Sequence, residues 1–474
     1  MARIRPQSTI RFVYPFSFDC ETAQERVDAV DHCEWGDLGK VWNREKLNTV
    51  DLLPAVGRYL NGSSDIGGDN SSEGKAKFWK LDGNALQSSR GLGGGVKKPS
   101  FRWTATQGKI STEFQFASIE LVLFHAGIGM LILEVRPESM ELNDWMDFIH
   151  IFRFVEGRRA AFVQCETKQA DGSFEATSPG FGGKEPEWGE ESTELISLIK
   201  QILAGVALPT DDRRSIREEF IEGQAIPYTS LFIEDADSED AEILYRLRNL
   251  FGSNQQVLLS PEDSDLTHQS LMHYADRQWF VSSLDGSHFV AFDAPANPFF
   301  ENTLPSHLGK QYFLLFLMAL HQRFKLARFS EEVAMQWSED ADDSRLDEFE
   351  RLNKNILTFR AHGLFGQAGQ RDHLHRYYRK LHDVFEIERQ FSEVSEEVHD
   401  MHAHMHLAQS KKLEKRINQL AVLLGVPGLI LGFLGVNLFH FTAGDGISWW
   451  LAIVLTILIS LPFGLLGYKW LQSH

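Results

Sequence analysis

The sequence predicts an α/β cytoplasmic domain followed by a long stalk helix and two C-terminal transmembrane helices. Three observations predict this. Between residues 417 and 468 only Asp445 carries a formal charge. From Gln370 to Leu424 there is neither glycine nor proline. Residues 1–300 mix short apolar, hairpin-like runs with helical spacings, the pattern of a mixed α/β domain.

The uncharged stretch holds two apolar runs, 420–438 and 447–466, joined by the short segment 439–446. Each is close to the roughly 20 residues that a helix needs to cross about 30 Å of hydrocarbon. Lys411, Lys412, Lys415 and Arg416 precede the first run and Lys469 follows the second, whereas the connecting segment has no Lys or Arg. By the positive-inside bias, both termini face the cytoplasm and 439–446 faces outward. Trp449 and Trp450 stand at the expected outer boundary, Tyr468 and Trp470 at the inner one. The expected location is therefore the inner (plasma) membrane, multi-pass, with a tail at 467–474.

Within 1–300, residues 10–18 read as a strand that Pro15 places at an edge or bends. Residues 118–125 and 128–135 read as a hairpin through Ala126-Gly127. A second hairpin is expected around Asp285-Gly286, between 278–282 and 288–292. Helical spacing follows over 142–155. Region 301–369 reads as helical, over 308–329 and again from Arg345 towards Ala361, with a break at 363–369. The glycine- and serine-rich segment 61–100 reads as a loop, or as a lid in which Arg90, Lys97 and Lys98 flank glycines that could approach an anion.

The stalk, 370–419, would be part of some 55 helical residues reaching roughly 80 Å. Val384, Ile387, Phe391, Val394, Val398, Met401 and Met405 recur at alternating spacings of three and four, a heptad seam that points to self-association about an axis. His399, His402 and His406 lie on one side of this helix, at spacings that can present imidazoles to a metal ion.

Taking about 100° per residue along the first apolar run, Gln419, Leu423, Val426, Ile430 and Phe433 share a face with Asn437. Gly425, Gly428, Gly432 and Gly435 occupy the other side, where small residues let neighbouring helices approach closely. One face is thus a packing seam and the other an apolar lining with an amide at each end. A ring of carboxamide oxygens at Asn437 would hold a hydrated cation loosely enough to conduct, and the aliphatic ring below it would gate by excluding water.

Composition limits the alternatives. The 474 residues carry 66 acidic against 47 basic side chains, a formal charge of −19, which disfavours direct nucleic-acid binding. Three cysteines at 20, 33 and 165 do not make a disulfide framework or a thiolate metal site. No spacing of His, Ser, Cys or carboxylates forms a catalytic motif, and no cofactor is expected to be required.

The first span closes on Gly435-Val436-Asn437, followed by a short loop and a second span that ends the chain. With the long preceding helix and Pro427 inside the span, this resembles the CorA family of two-span divalent-cation channels and transporters, which includes the ZntB branch. The resemblance is specific over 370–474 and architectural over the N-terminal region. It implies a homopentamer with a funnel-shaped cytoplasmic domain, Gly435, Val436 and Asn437 at the outer pore mouth, and magnesium or another divalent cation as permeant or regulatory ion. Three features depart from the family pattern. Val436 stands where Met is common, Phe439-His440-Phe441 replace acidic loop residues, and the terminal basic cluster is reduced to Lys469. A divergent CorA-like branch accompanies type III CRISPR systems. The alternative expectation is therefore a membrane effector of antiviral defence gated by a nucleotide second messenger such as the S-adenosylmethionine–AMP conjugate.

Overall fold

The computed structural model describes residues 2–18, 22–61, 76–87, 92, 101–168, 171, 173–177, 179, 181, 192–204, 206, 217–219, 221, 223–235, 240–336 and 343–441, with 450, 454, 458 and 462 beyond them. The chain divides into two units. The first comprises Met1–Ser330 and Leu357–Ser392, the second Glu331–Ile356 and Glu393–His474.

Among the described residues the first unit is built on one 15-stranded sheet. In chain order its strands are β1 Arg3–Ile4, β2 Thr9–Ser17, β3 Trp42–Glu45, β4 Ala76–Leu81 and β5 Phe101–Gln107. Next come β6 Ile110–Phe124, β7 Ile128–Pro137, β8 Phe162–Lys168, β9 Phe174–Thr177 and β10 Thr193–Glu194. The set closes with β11 Arg217–Glu219, β12 Ile226–Glu234, β13 Leu271–Ala275, β14 Gln278–Ser283 and β15 Gly286–Phe292. The main path runs β10-β8-β5-β6-β7-β2-β12-β15-β14-β13, antiparallel except for the parallel pair β12–β15.

The β6–β7 hairpin forms where the sequence places it. Gly127 turns it with φ +81°, and a side chain there would meet the backbone oxygen of Phe18 at 2.5 Å, so glycine is required. The second hairpin also forms, with Ser283 paired to Gly286, so that Leu284-Asp285 make the turn one residue earlier than expected. Pro15 is the exception. Its strand, β2, is central, paired along its length with β7 and on the other side with β12 and β11. The β12 register stops at Val13 and the β11 register starts at Phe16, so Pro15 falls in the gap between them. The N–H that it lacks therefore costs no ladder bond on that side.

Helices cover both sheet faces. On one face lies α4 Leu142–Phe152, with α1 Ala23–Asp31 and α3 Gly83–Gln87 preceding it in the chain, whereas α2 Pro54–Asn61 lies on the other, where Tyr59 Oη is 2.9 Å from His321. Phe12 of β2 meets Phe152 with ring centroids 4.8 Å apart, and Phe114 meets Phe148 at 5.3 Å. Such pairs add about 0.5–1.5 kcal/mol each beyond their apolar burial. Helices α5 Leu195–Leu203 and α6 Asp240–Arg248 bury Leu198, Ile199, Leu244 and Leu247 in the same core.

The other face takes the later helices. Wider, π-type turns at Phe299–Thr303 and Leu308–Tyr312 bracket α7 Leu304–His307 and lead into α8 Phe313–Gln336. The rings of Phe313 and Phe316 lie 5.0 and 5.3 Å from Tyr228 of β12. After α9 Asp343–His362, helix α10 Asp372–Val384 sets Tyr377 against Phe280 of β14 at 4.4 Å. The apolar run 312–320, too short to cross a bilayer, is thus core.

The expected unbroken helix from Gln370 is interrupted. Glu386 has φ +53° and separates α10 from α11 Ile387–Phe441. Phe385 and Ile387 are both fully buried. A continuous helix would point residues two apart about 200° away from each other. The left-handed residue between them, at a cost of about 1–2 kcal/mol, lets both face apolar surroundings.

Candidate functional site

Helix α11 is the element on which the sequence places the pore. It runs 55 residues without interruption, through Pro427 and past Gly435-Val436-Asn437 to Phe441. The side chains of Val426, Ile430, Phe433, Val436 and Asn437 lie outside the described residues, as do Arg90, Lys97 and Lys98 and nearly all of 442–474. Gln419 and Leu423 are half-buried. Among the described residues no helix is long and apolar enough to cross a membrane.

The heptad seam is already occupied within the second unit. Val394, Val398, Met401 and Met405 are all buried inside a single chain. Phe349, Leu352 and Ile356 of α9, spaced three and four apart, are buried with them, and the Phe349 ring lies 6.1 Å from that of His402. The expectation that this seam joins separate chains is therefore corrected. Its apolar spacing was legible, but its partner is the chain's own helix.

A second stripe is open. Leu413, Ile417, Leu420 and Leu424 follow spacings of four, three and four, and each is at least 54% exposed. Among the described residues, side chains placed at Gly425, Gly428 and Gly432 would meet nothing within 4 Å. The face that the sequence assigned to helix packing is thus clear of the chain's other described residues, as a surface for close approach between helices must be.

Of the three stalk histidines, the fold brings two together. His402 Nε2 lies 2.9 Å from His406 Nε2, with ring centroids 4.2 Å apart. His399 is exposed one turn earlier. Among the described residues no group of three or more His, Cys, Asp or Glu side chains is arranged to hold a metal ion, so the three-histidine site reduces to a pair.

Sequence reading missed a polar row that crosses the sheet beneath α7 and α8. Lys80 pairs with Glu120, Glu134 with Arg11, Arg11 with Tyr228, Tyr228 with Ser287, and Ser287 with Ser282 across successive strands. Ser118 Oγ bridges Glu120 and Glu134 at 3.5 and 3.3 Å. Arg11 donates to Glu134 and to the Gly309 carbonyl at 2.7 Å, and its guanidinium lies 4.4 Å from the centre of the Phe313 ring. Tyr228 Oη donates to the Leu308 carbonyl at 2.8 Å, and Ser287 shares a hydrogen with Tyr377 Oη at 2.9 Å. Burial opposes the Arg11 charge, but the carboxylates of Glu134 and Glu120 more than offset it, so Arg11 is held more firmly protonated than usual. Burial pushes the Glu120 carboxyl up, with Arg11 pulling against it. The sequence signal was a charged residue in each of three otherwise apolar strands. The row fastens the start of α8 to the sheet.

No family model and no curated protein matches the chain. Among solved structures it is similar to the complete structure of the CorA magnesium transporter from Methanocaldococcus jannaschii, at 11% identity over 53% of this chain and 93% of that one, with a TM-score of 0.17. A likeness of that size gives no correspondence of individual residues.

Proposed function

We propose that the chain is one subunit of a CorA-like oligomeric membrane channel that passes divalent cations, magnesium among them, through a central pore lined by α11. The observation that carries this reading is the continuity of α11. One helix leads from the buried Ile387 past Lys411, Lys412, Lys415 and Arg416 into an uncharged run and on to Gly435-Val436-Asn437. Its open stripe, Leu413 to Leu424, enters that run, where aliphatic side chains gain by meeting other helices. In this reading Gln419, Leu423, Val426, Ile430 and Phe433 line the pore and Asn437 closes its outer end. The assembly is a homopentamer in the plasma membrane with both termini cytoplasmic. Purified protein reconstituted into liposomes loaded with a magnesium-sensitive dye tests this. Cation entry with a multimer in electron micrographs supports it, and a monomer without flux overturns it.

A second reading is favoured by the size of the first unit, which takes up most of the chain and surrounds its sheet with helices on both faces. A domain of this extent suits recognition of a gating ligand other than the permeant ion. The candidate is a nucleotide second messenger such as the S-adenosylmethionine–AMP conjugate, which would make the protein a membrane effector of antiviral defence. A ligand opens such a gate only by binding the open state more tightly than the closed one. Calorimetry with that conjugate, on the wild type and on a variant with Arg90, Lys97 and Lys98 changed to Ala, tests both the ligand and the segment.

A further inference from the structure

We infer that His402 and His406 form a two-imidazole site for a first-row transition-metal ion, chemically distinct from any site that passes magnesium. The inference stands on the pair's own geometry and does not depend on the channel reading. The two Nε2 atoms are 2.9 Å apart on consecutive turns of α11. Metal–imidazole bonds are about 2.0–2.1 Å long, so two cis ligands at a right angle are separated by about 2.9 Å. The pair therefore already has the bite of tetragonal copper(II) or nickel(II) coordination, whereas tetrahedral zinc needs it opened to roughly 3.3 Å.

Local structure supports the site. Met401 and Met405 are buried beside the histidines and hold this face of the helix in place. The His402 ring is stacked on Phe349 of α9, tilted by 30°, which restricts one ligand before any ion arrives. His406 is exposed, so water can complete the coordination sphere. Without a metal, one imidazole must donate to the other, which uses one Nε2 hydrogen. When both Nε2 atoms ligate, that ring takes the tautomer with its hydrogen on Nδ1, and the metal clamps adjacent turns of α11. Imidazole nitrogen is a poor ligand for magnesium, which takes oxygen donors. The ion sensed at the stalk would then differ from the ion that permeates.

The test uses the full chain in detergent with one equivalent of copper(II), read by electron paramagnetic resonance. The expected spectrum shows two equivalent equatorial nitrogens, unaltered by millimolar magnesium. His402→Ala and His406→Ala should each weaken copper binding at this site at least tenfold and abolish the two-nitrogen pattern, while His399→Ala leaves both unchanged. Persistence of the pattern in both single variants would overturn the inference. So would an equal loss with His399→Ala, which would show a three-histidine site. Circular dichroism of each variant confirms that the helix is retained.

Discussion

Arg11 on β2 donates from Nε to Glu134 on β7 at 2.9 Å, and its second guanidinium nitrogen lies 2.8 Å from the same oxygen. This pair is the centre of the polar row, and the Glu120 charge beside it is offset first by Arg11 and then by Lys80 on the neighbouring strand. Arg11→Met keeps most of the volume but strands two carboxylates on a buried face. The expected loss is about 3–5 kcal/mol of stability, the usual range for breaking a buried pair from one side. Glu134→Gln, which keeps a hydrogen-bond acceptor, should cost less. Urea denaturation followed by circular dichroism measures both, and a loss under about 1 kcal/mol for Arg11→Met would show that the pair is solvated.

Acid should weaken the first unit through its histidines. Burial lowers His288 and His321 to about 3 and His382 to about 4. Because these folded values lie below the ordinary 6.5, the unfolded chain binds more protons over the interval between them. Stability is then full above about pH 6.5 and falls as the pH drops towards 4, by up to about 1.4 kcal/mol per pH unit for each histidine. His321 sits between Tyr59, which meets its Nε2 at 2.9 Å, and Phe124, stacked on it at 4.0 Å. His321→Phe should leave a shallower acid limb in a plot of Tm against pH from 7.5 to 4.5. An unchanged slope would mean that this ring is protonated without cost.

These expectations also show where sequence reading reached and where it stopped. Both hairpins were legible because a turn is local, and Gly127 announces its own positive φ. Pro15 was misread because the gap that accommodates it is made by β11 and β12, some two hundred residues away. Heptad spacing at Val394, Val398, Met401 and Met405 told which face is buried but carries no label for what buries it. Arg11, Glu120 and Glu134 were invisible as a set, because partners on three strands meet only through the register. His402 and His406 were legible as neighbours, since four residues on a helix fix their separation.

The two stripes of α11 make opposite predictions. Val398→Asp places a charge in the seam shared with α9, so it should unfold the second unit, with loss of helical signal and of protease resistance. Ile417→Asp places a charge on the open stripe and should leave each chain folded while weakening association between chains. Mass photometry in mild detergent separates the outcomes. Intact multimers with Ile417→Asp would exclude this stripe from the subunit contact.

The pore reading predicts different consequences at the two ends of one helical face. Asn437 is its outer amide, and a ring of carboxamides replaces part of a cation's outer hydration. Asn437→Ala removes those oxygens without adding bulk, so magnesium entry into liposomes should fall at least tenfold while the assembly persists. Phe433 lies four residues earlier, one helical turn deeper on the same face. It would act by size and apolarity, narrowing the path until water leaves it. Phe433→Ala widens that ring and should raise basal leak, whereas Phe433→Leu, smaller but still apolar, should keep most of the closure. Gly428→Leu acts on the opposite side, where none of the described residues lies within 4 Å of an added Cβ. In the pore reading this face meets neighbouring subunits, so Gly428→Leu is expected to weaken assembly. If flux is unchanged in Asn437→Ala and Phe433→Ala while Gly428→Leu still assembles, α11 does not line a conducting path.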